Sequence, residues 1–124
     1  MAKKILVIDD EELIIKSVSR LLEKNGYEVF VAKNGEAAII MTEEEDFDLI
    51  LADVRMPGIN GVETVEQIYK ILKKKKQNKI PAIFITGYAD DLIEKKINKL
   101  VPVAYLYKPF EINGLLDKIR IAIG

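Results

Sequence analysis

Five short apolar runs, each followed by a longer stretch of helical period, leave this chain few ways to fold. The runs are Ile5–Ile8, Glu28–Val31, Asp48–Ala52, Ala82–Ile85 and Val103–Tyr107. Ile5–Ile8 is unbroken and rich in β-branched residues, as a strand covered on both faces must be. Between the runs the period changes. From Glu11 to Asn25, Ile14, Val18, Leu21 and Leu22 recur on one face of a helix. Asp10 is placed to cap it, and Gly26 to stop it in a left-handed conformation. A second helix near 35–45 buries Ala38, Ile39 and Met41. A third carries Val62, Val65, Ile68, Tyr69 and Leu72, and a fourth, over 89–100, turns Leu92, Ile93, Ile97 and Leu100 inward. The last, Ile112 to Ile123, shows Leu115, Leu116 and Ile119 at helical spacing. Five such units with short connections predict an α/β protein, a doubly wound parallel sheet with helices on both faces.

The 124 residues are one domain's worth of chain, with no repeat, linker or low-complexity tail. A net charge of −1 gives no overall basic footprint for nucleic acid. The one lysine run, Lys73 to Lys76, ends the third helix, where cations suit the helix dipole. Cysteine and histidine are both absent, which removes disulfides, thiol chemistry, Cys/His zinc sites and any histidine base. The apolar start is too short for a signal peptide or a membrane span, so a cytoplasmic protein is expected.

Charge gathers where the strands end. The first run leads into Asp9-Asp10, the third into Asp53 on the loop before Pro57-Gly58, the fourth into Thr86-Gly87 and the fifth into Lys108-Pro109. Taken singly, each has an ordinary explanation as a cap, a turn or a solvated side chain. Together they occupy one rim, because parallel strands bring their carboxyl ends to the same edge. Ligands favour that edge at the point where strand order reverses, between the first and third strands. Three carboxylates and one ammonium leave a net −2 there. Two carboxylates 4 Å apart repel by about 4 kcal/mol at an effective dielectric of 20. A Mg²⁺ ion, which prefers oxygen-only ligands with one to three carboxylates, brings the sum to zero, and Mn²⁺ is the alternative occupant. Phosphorylating Asp53 would add about one further negative charge and three acceptor oxygens, for which the cation, the Lys108 ammonium and the Thr86 hydroxyl are the natural partners. Phosphoryl transfer asks for positioning and electrostatics, so the lack of histidine is no obstacle.

These motifs, in this order, resemble the receiver domain of two-component response regulators, of the chemotaxis-regulator type. The stretches that carry the resemblance are Ile5 to Glu11, Asp48 to Gly58, Ile85 to Gly87 and Tyr105 to Phe110, and the match covers essentially the whole chain. It implies a flavodoxin-like sheet of strand order 2-1-3-4-5 with five helices. It implies that Asp53 accepts a phosphoryl group from a sensor histidine kinase or phosphotransfer protein, and that the domain catalyses only its own phosphorylation and dephosphorylation. Asp9, Asp10, Asp53 and the main-chain carbonyl of Arg55 would hold the metal. Lys108 would pair with Asp53 and then with the phosphoryl group. Thr86 would swing to a phosphoryl oxygen and Tyr105 would turn in behind it. The Lys108–Pro109 peptide would be cis. The surface of the fourth helix, fifth strand and fifth helix would pass the signal to a downstream effector domain or protein, with no direct contact to nucleic acid or membrane. A phosphorylation-dependent homodimer stays open.

One departure is visible: Asn60 stands before Gly61 where the family usually has aspartate, and asparagine accepts the same turn geometry. Arg55 and Tyr88 fill the family's variable flanking positions and are expected to shield the phosphoryl group from water. Three rivals are less compatible with the residues. A flavodoxin-like cofactor binder needs a phosphate cradle where this chain has Asp9 to Glu12. An aspartyl phosphatase usually places a second aspartate where Arg55 stands. A docking module without phosphorylation has no use for five site residues. With nothing after the last helix, the chain is expected to be a stand-alone receiver or a piece of a larger regulator or hybrid kinase.

Overall fold

The computed structural model describes residues 2–87 and 90–124. Five strands alternate with five helices: β1 Lys4–Ile8, α1 Glu12–Lys24, β2 Glu28–Ala32, α2 Gly35–Glu44, β3 Leu49–Asp53, α3 Gly61–Lys74, β4 Ala82–Thr86, α4 Asp91–Lys99, β5 Ala104–Tyr107 and α5 Ile112–Ile123. The strands form one parallel sheet in the order β2-β1-β3-β4-β5, the predicted flavodoxin-like arrangement. The order reverses between β1 and β3, so the ends of those two strands open the cleft.

The apolar runs do not alternate because both sheet faces are covered. Side chains still alternate along each strand. Leu6, Ile8, Ile50, Ala52, Ala82 and Phe84 pack under Ala38 of α2, Val62, Val65, Ile68 and Leu72 of α3, and Ile97 of α4. Their neighbours Ile5, Val7, Leu49, Leu51, Ile83 and Ile85 meet Val18 and Leu22 of α1 and Leu115, Leu116 and Ile119 of α5 on the other face. Such burial, at roughly 1.5–3 kcal/mol for each large side chain, holds the strand ends in a fixed frame.

Some local expectations are corrected. Asp53 is the last residue of β3, paired with Ile85, and does not lie on the loop. Asp10 does not cap α1: Glu11 occupies that position and makes no side-chain capping bond. The fourth helix begins at Asp91, because the Asp90 carboxylate accepts from Ile93 N at 2.8 Å and sets the start. That shorter helix leaves Leu92 64% exposed, against the inward orientation expected, while Ile97 is fully buried and Ile93 and Leu100 pack on the core. Gly26 does adopt the left-handed conformation after α1, at φ 89°.

Candidate functional site

The register of the sheet brings the predicted rim together. The Asp9 amide donates to the Ala32 carbonyl at 3.1 Å, holding the β1 exit against β2. The Asp9 carboxylate then accepts from the amide of Glu11 at 2.9 Å, which fixes the turn into α1. Asp53 ends the neighbouring strand. The Val54 amide donates to the Ile85 carbonyl at 2.9 Å, and the Gly61 amide to the Val54 carbonyl at 2.9 Å. A Cβ on Gly61 would lie 2.0 Å from the Asp53 carbonyl oxygen, so only glycine lets α3 come this close to the strand end. Asn60 begins that helix. Its side chain accepts from the Glu63 amide at 2.9 Å and the Glu63 carboxylate accepts from the Asn60 amide at 3.2 Å, a complete capping box. Its backbone is extended, so the residue serves as a cap and not, as expected, through turn geometry; the turn glycine is Gly58, at φ 80°.

Asp9 and Asp53 are almost fully buried, 2% and 3% exposed, and Asp10 stands exposed at the mouth. One oxygen from each lies within 4.8 Å of the others. Burial first, and the neighbouring Asp9 charge second, push the Asp53 carboxyl up to about 6, although Lys108 and the Arg55 amide oppose the shift. Asp9 is also raised, chiefly by burial. Two buried acids that resist ionisation, with only acceptor oxygens pointing together, are the donor set a hard dication wants. The residues present fit Mg²⁺.

Lys108 reaches the cluster from the end of β5. Its amide donates to the Thr86 carbonyl at 2.7 Å, and the following bond to Pro109 is cis, as expected. The ammonium lies 3.4 Å from Asp53 Oδ2, 3.8 Å from Asp9 Oδ2 and 2.7 Å from Glu11 Oε1. Burial alone would lower its pKa; Glu11, then Asp53 and Asp9, outweigh that and hold it above the ordinary value. Thr86 is completely buried one residue past the position paired with Asp53. The Arg55 amide faces Asp53 Oδ1 at 3.4 Å, while its side chain is exposed. Tyr105 sits beside Phe84 of β4, its ring 5.0 Å from that of Tyr107, and its buried hydroxyl has no hydrogen-bond partner among the described residues. The Tyr107 hydroxyl donates to Glu94 at 2.7 Å and ties β5 to α4. Tyr88 lies outside the described residues.

Asp9, Asp10, Asp53, Arg55, Thr86 and Lys108 therefore stand at one edge of the sheet, and Tyr105 lies two residues back from the end of β5. Three contributors were missed. Gly61 and the Asn60–Glu63 capping box could have been read from the Asn-Gly-x-Glu spacing before a helical stretch. The Glu11 contact to Lys108 spans 97 positions and leaves no local signal.

A five-stranded sheet in this order, with three acids and a lysine at its switch point, defines a class of signalling domain. The chain matches the family model of the response regulator receiver domain over residues 5–120 and belongs to that family, part of the two-component systems. It is 38% identical over 120 residues to the transcriptional regulatory protein CrdR of Helicobacter pylori, covering 97% of this chain and 54% of that protein. The chain spans about half the length of the curated relatives it matches. Among solved structures it is similar to a CheY-like response regulator receiver domain protein from Methanospirillum hungatei, with a TM-score of 0.90, 31% identity, and 99% and 94% of the two chains covered. It is also similar to a Burkholderia pseudomallei response regulator described with a phosphorylated aspartic acid, a calcium ion and citrate. There the TM-score is 0.80 and the identity 27%, with 98% and 66% covered. Among the described residues, no helix is long and apolar enough to cross a membrane.

Proposed function

We propose that this receiver domain works by phosphorylation of Asp53, taking the group from a phosphohistidine on a sensor kinase or phosphotransfer protein. One observation carries the reading: a carboxylate only 3% exposed shares its pocket with Asp9, and one ammonium lies 3.4 Å away. The arrangement is a poor one for stability and a good one for phosphoryl chemistry. Asp9, Asp10, Asp53 and the Arg55 carbonyl would hold Mg²⁺, whose charge offsets the carboxylates and the incoming group. An Asp53 carboxylate oxygen attacks phosphorus in line, the phosphorus–nitrogen bond of the donor breaks, and the imidazole leaves. Lys108 neutralises the transferred oxygens and Thr86 donates to one of them. The relative described with a phosphorylated aspartic acid and calcium supports the same pairing of modification and dication here. Beside Lys108 an open groove of about 470 Å³, lined by Ile14, Val18, Pro109 and Phe110, offers the donor protein an apolar seat.

Thr86 drawn toward the phosphoryl group would leave room into which Tyr105 turns. That motion would work against the Tyr107–Glu94 bond and reshape the surface of α4, β5 and α5 for a downstream effector. The experiment is incubation with acetyl phosphate and Mg²⁺, followed by intact mass. The wild-type chain should gain one phosphoryl group and Asp53→Ala none; an unmodified wild type would leave a docking module as the surviving alternative.

A further inference from the structure

Glu11 breaks a local rule. It holds the N-cap position of a 13-residue helix, where Ser, Thr, Asp or Asn is favoured because a short side chain can bond the free amides. Glutamate is too long for that geometry, and its carboxylate makes no capping bond. It turns away from the helix and bonds Lys108 at 2.7 Å. The ammonium, 15% exposed, thus has its short contact with a rim carboxylate that is 55% exposed, while its distances to the buried acids are 3.4 and 3.8 Å. The cation sits off-centre, drawn outward.

A phosphoryl group on Asp53 would present three acceptor oxygens on the inner side of that ammonium. Charge-assisted bonds to them form at about 2.7–2.9 Å and are stronger than a rim ion pair, so they would draw the ammonium away from Glu11. We propose that Glu11 is a positioning residue that latches Lys108 at the rim in the resting state and competes with the phosphorylated Asp53 for it. This inference rests on Asp53 being the phosphoacceptor. Glu11 touches neither metal nor phosphoryl group; it acts through Lys108, and its removal tightens the binding of a phosphoryl group.

Two variants separate the latch from simple charge. Glu11→Gln removes the charge at constant length. Glu11→Asp keeps the charge, shortens the arm by one methylene so that it no longer reaches Lys108, and is the better helix cap. The probe is beryllofluoride, a noncovalent phosphoryl mimic, titrated into the intact chain in Mg²⁺ and followed by fluorine NMR. Both variants should bind it about two- to fivefold tighter than wild type, the range set by a partly exposed ion pair. Tightening in Glu11→Gln alone would mean that repulsion, not the latch, is at work, and would overturn the proposal. Unchanged or weaker binding in both would overturn it as well, the latter making Glu11 a support for the lysine. If the wild type itself shows no Mg²⁺-dependent binding, the reading of Asp53 falls and takes the latch with it; wild-type binding with unaltered variants sinks the latch alone.

Discussion

Replacing Asp53 with asparagine should make the metal-free protein more stable, and only above about pH 4. Asp53 titrates at about 6 in the fold against an ordinary 3.8. Between those values the folded chain holds a proton that the unfolded chain has released. The raised value therefore contributes stability at low pH that is lost as the pH rises through 6, and above it the penalty is complete. At 1.36 kcal/mol per pH unit it reaches about 3 kcal/mol. Asparagine fills the same space without ionising. Lys108 keeps its 2.7 Å contact with Glu11, so little is forfeited on that side. Allowing for relaxation around the buried charge, we expect Asp53→Asn to gain about 1–3 kcal/mol at pH 7.5, and nothing at pH 4. For a chain of this size that is roughly 4–12 °C in midpoint. Urea unfolding followed by far-ultraviolet circular dichroism at the two pH values reads the difference directly. Millimolar Mg²⁺ should narrow it by stabilising the wild type, since a ligand bound to the folded state adds to its stability. An equal gain at both pH values, or none at 7.5, would refute the claim that the pocket is electrostatically strained.

Other outcomes follow from single contacts. Gly61→Ala drives a Cβ into the Asp53 carbonyl and should cost about 1–3 kcal/mol in urea unfolding, with loss of Mg²⁺ binding in titration calorimetry. Val101, a β-branched residue 74% exposed at φ 51°, ends α4 in a conformation suited to glycine, and Val101→Gly should raise stability by about 0.5–1 kcal/mol. Asn60→Ala removes the cap of α3 and should cost about 1 kcal/mol. The switch should be graded: inverting a 1:99 equilibrium needs about 5.5 kcal/mol. One Thr86 bond and one Lys108 contact supply roughly 1.5–3 kcal/mol each. An active-like minor conformer should therefore be visible by relaxation-dispersion NMR before phosphorylation, and its absence would contradict this arithmetic.

The sheet was legible because burial on both faces writes itself as unbroken apolar runs, and the rim because the first, third, fourth and fifth runs lead into charged or hydroxyl residues. The boundaries around the site were less so. Asp53 belongs to the strand because Ile85 pairs with it, a partner 32 positions on that no local pattern reveals. Leu92 fits the helical period as well as Ile93 does; only the start of α4 at Asp91 decides which faces the core. The α1 cap was assigned to Asp10 on residue preference, but the Asp9 carboxylate takes the Glu11 amide and moves the helix start along by one. The contact of Glu11 with Lys108 had no local signal at all, because its partner follows the last strand.

The most direct test of the central claim is to locate the modified residue. After acetyl phosphate and Mg²⁺, borohydride reduction of the acyl phosphate and peptide sequencing should find homoserine at position 53. The label should be lost when Mg²⁺ is chelated beforehand. Label at any other carboxylate, or a yield at position 53 unaffected by chelation, would contradict the account of a buried aspartate made reactive by a dication and Lys108.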